Sequence, residues 1–146
     1  MTSNKEPIRT LVVDDDNAVC QIVCRILTNR YGDELAITST NNAEMAIGMA
    51  IANRFELCVS DLEMPGINGF KILKSLKQSN PLTQVILLTG HPDESAIKSA
   101  FSLGADDYIL KPIHPMEICN SIDFMINRIR RFKRDITRTN EVTTAR

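Results

Sequence analysis

An aspartate, Asp61, stands where a buried strand would end and a loop would begin. It follows the apolar residues 57–59, and residues 65–69, which include a proline and two glycines, come shortly after it. Two other apolar runs also end in charged side chains: residues 11–13 precede Asp14, Asp15 and Asp16, and residues 108–110 precede Lys111. Reactive groups commonly lie on loops that a rigid scaffold positions. The pattern predicts that these acids and the lysine converge at one edge of a sheet.

Clustered carboxylates repel one another, and their pKa values rise unless a cation lies among them. Oxygen ligands from Asp14, Asp15 and Asp61 suit a hard divalent ion that keeps several waters, which predicts a Mg²⁺ site, with Mn²⁺ as a substitute. One carboxylate could then attack a phosphoryl group while the metal neutralises charge. Lys111 would hold a phosphoryl oxygen as a point charge, and the hydroxyl of Thr89 would donate to another.

Short runs rich in β-branched residues alternate along the chain with longer segments of helical periodicity. Strands are predicted at about 9–13, 35–40, 57–61, 84–89 and 107–110. Helices are predicted at about 17–30, 42–53, 69–78 and 92–103 and from 115 onward, with Asn17 and Asn42 as N-caps. Parallel strands need such crossover connections, and ligands bind at the carboxyl ends of the strands. The sequence predicts an α/β domain whose parallel sheet is covered by helices on both faces.

Length and composition fit one soluble domain. The chain has 146 residues, of which 43% are hydrophobic, and this is enough for one substantial core. No apolar stretch approaches the roughly 20 residues that cross a bilayer, and the first residues lack the apolar centre of a signal peptide. The four cysteines show neither a disulfide framework nor a C-x-x-C pair, and we expect Cys20 and Cys24, which would share a helix face, to be small core residues rather than metal ligands. We therefore expect a cytoplasmic protein without a membrane partner.

The net charge of −1 hides an asymmetry between the body of the chain and its end. Residues 1–127 hold 10 basic and 16 acidic side chains, whereas residues 128–146 hold 7 basic and 2 acidic ones. A basic segment of this kind could attract nucleic acid or an acidic partner. Neither interleaved aromatic residues nor a base-reading motif accompanies the charge, so we do not expect direct nucleic-acid binding.

Four segments together resemble the receiver domain of the response regulators of two-component signalling. They are residues 11–16, 60–69, 87–90 and 104–112, which stand in the family's order and spacing. The resemblance covers residues 8–130, with residues 1–7 expected to be disordered and residues 131–146 to form an extension of the last helix and a polar, basic tail. It implies a doubly wound, five-stranded, flavodoxin-like sheet with strand order 2-1-3-4-5.

The resemblance also assigns roles around Asp61. It implies that Asp61 is the phosphoacceptor, which receives a phosphoryl group from a sensor histidine kinase or a histidine phosphotransfer protein. Asp14, Asp15, Asp61 and the backbone carbonyl of Glu63 would bind Mg²⁺. Asp16 would be a neighbour rather than a ligand.

The other carried-over residues would sense the phosphoryl group. Lys111 would contact it, and the bond from Lys111 to Pro112 would be cis. Thr89 and Tyr108 match the family's switch pair, through which phosphorylation would alter the surface of helix four, strand five and helix five to control an output domain or partner. Glu63 and His91 should flank the route by which water reaches the acyl phosphate, and so influence its lifetime.

The last helix carries an apolar repeat with spacings of four and three residues. Its members are Ile118, Ile122, Met125, Ile129, Phe132 and Ile136. Covering the domain would take about four turns, or roughly 15 residues, so the repeat predicts a helix that projects, either into a homodimer or toward an output module. The alternative is an amphipathic end that folds back on its own domain. Residues 137–146 are expected to be disordered.

Two other functional classes compete with a phosphorylated receiver. A receiver-like interaction module that works without phosphate would usually lack part of the acid, threonine and lysine set, which is complete here. A phosphatase with an aspartyl nucleophile, of the haloacid-dehalogenase kind, would carry a second aspartate two residues after the first, where this chain has Glu63. We therefore expect a signalling switch that loses its phosphoryl group slowly and has no separate substrate.

Overall fold

The computed structural model describes residues 6–66 and 68–144. Within these residues the chain forms a five-stranded parallel sheet in the order β2-β1-β3-β4-β5. The strands are β1 (Ile8–Val13), β2 (Leu35–Thr40), β3 (Leu57–Asp61), β4 (Gln84–Thr89) and β5 (Asp107–Leu110). The predicted α/β class, strand positions and strand order are confirmed.

The helices fall between the strands as the periodicity predicted. They are α1 (Asn17–Tyr31), α2 (Ala43–Ala52), α3 (Gly69–Ser79), α4 (Glu94–Ser102) and α5 (Pro115–Thr144). The cap of α2 is Asn42, as predicted, but the prediction of Asn17 as the cap of α1 is wrong. Asp16 caps that helix instead, because its carboxylate accepts a hydrogen bond from the Ala18 amide at 2.9 Å.

Alternate side chains of the strands pack into two separate hydrophobic cores, one on each face of the sheet. One lies between the sheet and helices α1 and α5, and the other between the sheet and helices α2, α3 and α4. In β1, for example, Val12 belongs to the first core, while Leu11 and Val13 belong to the second. Since both faces of the sheet are covered, the polar groups that serve a ligand are confined to the ends of the strands.

The register of the central strands determines where the acidic residues meet. Val13 of β1 pairs with Ser60 of β3, and Asp61 of β3 pairs with Leu88 of β4. The carboxyl ends of three neighbouring strands therefore lie side by side, with Asp61 at the end of the middle one.

Helix α5 has 30 residues, which makes it about 45 Å long at 1.5 Å per residue. The first four members of its apolar repeat, Ile118, Ile122, Met125 and Ile129, are at most 4% exposed, because they pack on the sheet. Beyond them, Ile136 is 50% exposed. Most of the repeat is thus the domain's own core rather than a surface for another molecule.

The helix nevertheless continues past the domain. The expected disorder after Ile136 is wrong for residues 137–144, which are helical, while residues 145–146 lie outside the described residues. Ion pairs from Arg130 to Glu34 (2.8 Å) and from Lys133 to Glu56 tie the helix to the body before it projects. Of the expected disordered N-terminus, residues 1–5 also lie outside the described part.

The described residues contain neither a membrane-spanning helix nor a disulfide. None of the helices within residues 6–66 and 68–144 combines the length and the apolar character needed to cross a membrane. The four cysteines, all of which are described, are free thiols, as expected.

Gly69 connects the fold to the site, because it begins α3 directly against the end of β3. A Cβ atom at this position would lie 2.5 Å from the Asp61 carbonyl oxygen and 2.9 Å from Leu62 Cα. The amide of Gly69 also donates a hydrogen bond of 2.9 Å to the Leu62 carbonyl. Only a residue without a side chain allows this close approach of two backbone segments.

We expect Gly69→Ala to lower the free energy of unfolding by about 1–3 kcal/mol, since the methyl group overpacks rigid backbone that cannot move aside. Denaturant unfolding measures the effect. Gly48→Ala is the matched control, because Gly48 is exposed within α2 and has nothing within 4 Å of an added Cβ. The control should be more stable by about 0.5–1 kcal/mol. Equal effects of the two substitutions would contradict the packing argument.

Candidate functional site

Three carboxylates meet at the carboxyl edge of the sheet. Asp14 follows β1 directly and is 0% exposed, Asp61 ends β3 and is 2% exposed, and Asp15 is open to solvent. One oxygen from each lies within 4.8 Å of the other two. The structure therefore brings together the acidic residues that the sequence singled out, while Asp16 turns away to cap α1.

Lys111 spans the two buried acids. Its Nζ lies 3.0 Å from Asp14 Oδ2 and 3.2 Å from Asp61 Oδ1. The backbone holds it in place, because its amide donates a hydrogen bond of 2.8 Å to the Thr89 carbonyl of β4. The bond between Lys111 and Pro112 is cis, as predicted. A side chain that begins two strands away thus supplies the positive charge at the central acid.

The electrostatics of this cluster favour a further cation. Burial, followed by the charge of Asp14, raises the pKa of Asp61 to about 7, although Lys111 opposes this shift. Burial alone would lower the pKa of Lys111, but the two carboxylates raise it above its usual value. The lysine therefore stays charged at neutral pH. One ammonium shared between two buried carboxylates leaves the site short of positive charge.

The donor set fits a divalent metal. Asp14 Oδ2 is buried and, among the described residues, accepts no hydrogen bond of good geometry, although the Lys111 ammonium lies nearby. Carboxylates on one open edge, with Asp15 exposed, offer hard oxygen ligands and leave room for waters, which Mg²⁺ requires. The backbone of Glu63 lies next to them, since its amide donates a hydrogen bond of 3.2 Å to Asp61 Oδ1. Its carbonyl as a metal ligand stays a prediction.

Thr89 and Gly90 provide hydrogen-bond donors beside Asp61. Thr89 ends β4, next to β3, and is 2% exposed. Its hydroxyl donates to Glu63 Oε1, and the amide of Gly90 donates to Glu63 Oε2 at 3.1 Å. A Cβ atom at Gly90 would meet nothing within 4 Å, so the space beside this residue is open.

This double contact of the Glu63 side chain was not predicted from the sequence. The predicted roles of Glu63 were a metal-binding backbone carbonyl and an influence on phosphate lifetime, without a hydrogen-bond partner for the side chain. The only signal in the sequence is that Glu63 and Thr89 follow or end two runs predicted as strands. Which runs become neighbours in the sheet, and so which loops touch, is set by the topology.

The remaining predicted residues lie around this centre. Tyr108 of β5 is half-buried and meets the Phe101 ring edge-on, with centroids 6.0 Å apart. His91 is exposed and touches the site through its backbone, because its amide donates to the Thr89 hydroxyl oxygen at 3.1 Å. The switching role of Tyr108 and the lifetime role of His91 stay predictions.

Comparison with known proteins gives a consistent result. Residues 10–123 match the family model described as the response regulator receiver domain. The DNA-binding transcriptional regulator NtrC of Klebsiella pneumoniae is 33% identical over 116 residues, which are 80% of this chain and 24% of NtrC. The chain thus spans about a quarter of the length of that relative.

Solved structures of similar shape are also available. A CheY-like response regulator receiver domain protein from Methanospirillum hungatei JF-1 has a TM-score of 0.79 and 24% identity, over 86% of this chain and 98% of that one. A response regulator protein from Burkholderia pseudomallei, solved with a phosphorylated aspartic acid, calcium ion and citrate, has a TM-score of 0.71 and 25% identity, over 86% of this chain and 72% of that one.

The raised pKa of Asp61 predicts how the stability of the metal-free protein depends on pH. The folded state holds the Asp61 proton up to about pH 7, whereas a carboxyl group with the ordinary value of 3.8 has already lost it in the unfolded chain. The resulting stabilisation is complete below the unfolded-state pKa of 3.8 and is lost as the pH rises through the folded-state pKa of about 7. Asp61→Asn removes this dependence.

We expect the melting temperature of Asp61→Asn to exceed that of the wild type by a margin that grows from about pH 4 to pH 7. Thermal unfolding in the presence of a chelator measures it. Asp135→Asn, an exposed position on α5, is the control and should follow the wild type at every pH. A difference in melting temperature that stays constant with pH would contradict the raised pKa of Asp61.

Proposed function

Because the chain belongs to the response regulator receiver domain family, we propose that Asp61 is the residue that accepts the phosphoryl group. The observation that carries this proposal is the burial of Asp61 at the end of the central strand, near the buried Asp14 carboxylate and 3.2 Å from the Lys111 ammonium that the two acids share. The phosphorylated aspartic acid in the Burkholderia pseudomallei structure supports it by analogy. Asp15 is less suited to the role, since it is exposed and has no cation beside it in the described residues.

In the proposed reaction, a carboxylate oxygen of Asp61 attacks the phosphorus atom of a phosphohistidine. A new O–P bond forms as the N–P bond breaks, and the departing imidazole nitrogen keeps the electron pair and takes up a proton. Asp61 must be ionised to attack, so its raised pKa makes the metal-free site a weak nucleophile near neutral pH. Lys111 lies 3.2 Å from Asp61 and favours the ionised form.

We assign the metal site to Asp14, Asp15, Asp61 and the backbone carbonyl of Glu63, with Mg²⁺ as the ion and Mn²⁺ as a substitute. When bound, the ion supplies positive charge that neutralises the carboxylates and the phosphoryl oxygens. The support for this assignment is the cluster of three carboxylates and the unsatisfied Asp14 oxygen.

The proposed output runs through Thr89 and Tyr108. Once Asp61 carries a phosphoryl group, its oxygens become acceptors for the Thr89 hydroxyl, and a shift of Thr89 leaves space into which Tyr108 turns. The surface that then changes consists of α4, β5 and α5. The domain acts as a signalling switch that slowly hydrolyses its own acyl phosphate, at a rate influenced by Glu63 and His91, rather than as an enzyme with a separate substrate.

The partners of this chain are proposals as well. The phosphodonor is a sensor histidine kinase or a histidine phosphotransfer protein, and the receiver of the signal is an output domain or a downstream protein. We place the domain in the cytoplasm, where four free thiols are stable. A homodimer through the projecting part of α5 would cover Ile136, which is 50% exposed.

Phosphorylation tests the main proposal directly. With Mg²⁺ and acetyl phosphate, the protein should gain a single phosphoryl group by mass spectrometry, and the gain should disappear in Asp61→Asn and when a chelator removes the metal. Asp16→Asn is the control, because Asp16 caps α1 and should leave the gain intact. A folded wild type that gains nothing would favour a module that works without phosphate.

Light scattering tests the dimer, before and after phosphorylation. Ile136→Glu should keep the protein monomeric if the end of α5 pairs, while Phe124→Glu should leave the dimer intact, since Phe124 lies nearer the body of the domain and is 60% exposed. A strict monomer in both states would count against pairing through α5. A dimer broken by Phe124→Glu alone would move the interface to the body.

A further inference from the structure

The side chain of Glu63 occupies two hydrogen-bond donors at the acceptor site. Its Oε1 accepts the Thr89 hydroxyl, and its Oε2 accepts the Gly90 amide at 3.1 Å. Thr89 is the last residue of β4 and Gly90 follows it, while Glu63 lies on the loop after β3. An anionic group with two acceptor oxygens therefore bridges neighbouring strand ends.

The register of the sheet brings these donors to the end of β3, because Leu88, which precedes Thr89 and Gly90, pairs with Asp61. Leu62, between Asp61 and Glu63, donates its amide to the Leu88 carbonyl at 2.8 Å, which fixes the loop after β3 against the end of β4. The Glu63 amide contacts the Asp61 carboxylate itself. A phosphoryl group on Asp61 would bring oxygens into the region where the carboxylate of Glu63 now accepts both hydrogen bonds.

We propose that Glu63 is an internal latch. In the unphosphorylated domain its carboxylate accepts the hydrogen bonds of the Thr89 hydroxyl and the Gly90 amide, and it must leave before a phosphoryl group on Asp61 can accept them. This inference rests on the proposed phosphorylation of Asp61. A carboxylate and a phosphoryl group present similar chemistry to such donors, since both are anionic and have oxygens that accept hydrogen bonds. The latch thus competes with the phosphoryl group and opposes the redirection of Thr89.

The length of the Glu63 side chain is what allows the bridge. Its two oxygens reach a hydroxyl and an amide that belong to consecutive residues, and an aspartate, shorter by one methylene, would fall short of both. The Thr89 hydroxyl has another acceptor in the His91 carbonyl at 3.2 Å. The Gly90 amide has, among the described residues, only Glu63, so this amide reports whether the latch is closed.

Release of the latch is feasible because Glu63 is exposed. Water can take over its carboxylate oxygens when they leave Thr89 and Gly90, so the contact imposes a modest barrier rather than a block. Its removal should speed phosphorylation about tenfold, which corresponds to about 1.4 kcal/mol. This is the scale of one hydrogen bond with a charged partner.

A series at position 63 separates a latch from a simple charge effect. Glu63→Asp keeps the charge and shortens the side chain, Glu63→Gln keeps the length and removes the charge, and Glu63→Ala removes both. We expect Glu63→Asp and Glu63→Ala to be phosphorylated by acetyl phosphate about equally fast, and faster than the wild type. The latch is overturned if Glu63→Asp reacts at the wild-type rate while Glu63→Gln reacts faster. In that case, charge repulsion between Glu63 and the anionic acetyl phosphate explains the slower reaction of the wild type.

A second measurement requires neither metal nor phosphodonor. Solvent exchange of the Gly90 amide, measured by NMR in metal-free protein, should accelerate in Glu63→Asp and Glu63→Ala. Glu94→Gln, an exposed carboxylate paired with Lys98 on α4, should match the wild type in both assays. Unchanged exchange at Gly90 would overturn the latch. A wild type that gains no phosphoryl group overturns the proposed function instead, and the exchange measurement then still shows whether Glu63 holds the amide.

Discussion

The structure depends on the burial of two like charges at the end of a sheet. Asp14 and Asp61 are almost completely inaccessible to solvent, and they share a single ammonium group from Lys111. Buried carboxylates are costly unless cations compensate them, and here the compensation is incomplete. The site is therefore receptive to a divalent ion and, once the ion is present, to the anionic phosphoryl group. A scaffold that holds acids this close together must be stable for other reasons.

That stability comes from the two cores on either side of the sheet. Helices α1 and α5 cover one face and helices α2, α3 and α4 the other, so the three inner strands β1, β3 and β4 are buried nearly throughout. The polar groups gather where the strands end, because the hydrogen-bond register aligns those ends. The close approach of Gly69 to the backbone of Asp61 and Leu62 also helps to position the end of β3. Packing distant from the chemistry thus sets the positions of the charges.

Hydrogen bonds at the same edge connect the site to the rest of the domain. The backbone amide of Lys111 donates to the Thr89 carbonyl, while the Thr89 hydroxyl donates to Glu63, so one residue of β4 contacts both the backbone of Lys111 and the proposed latch. Tyr108 lies on the neighbouring strand against Phe101 of α4. The proposed redirection of the Thr89 hydroxyl would act on the surface of α4 and β5 through this ring contact. Helix α5 packs on the opposite face of the sheet, where the Ser121 hydroxyl donates a hydrogen bond of 2.6 Å to Asp107 of β5.

The sequence by itself determined the strands, most of the helices and the set of reactive residues, because these depend on local patterns: apolar runs, caps and charged groups at the ends of runs. It placed the cap of α1 one residue late, since Asp16 and Asn17 are both good caps and only the observed hydrogen bond distinguishes them. It also predicted that about the first 15 residues of α5 cover the domain, and the four apolar members of the repeat in that part do pack on the sheet. Only the tertiary structure decided which loops touch, and therefore that the Glu63 carboxylate meets Thr89 and Gly90 and that one lysine serves two acids. Such contacts arise from strand order and register, which bring together residues that lie far apart in the chain.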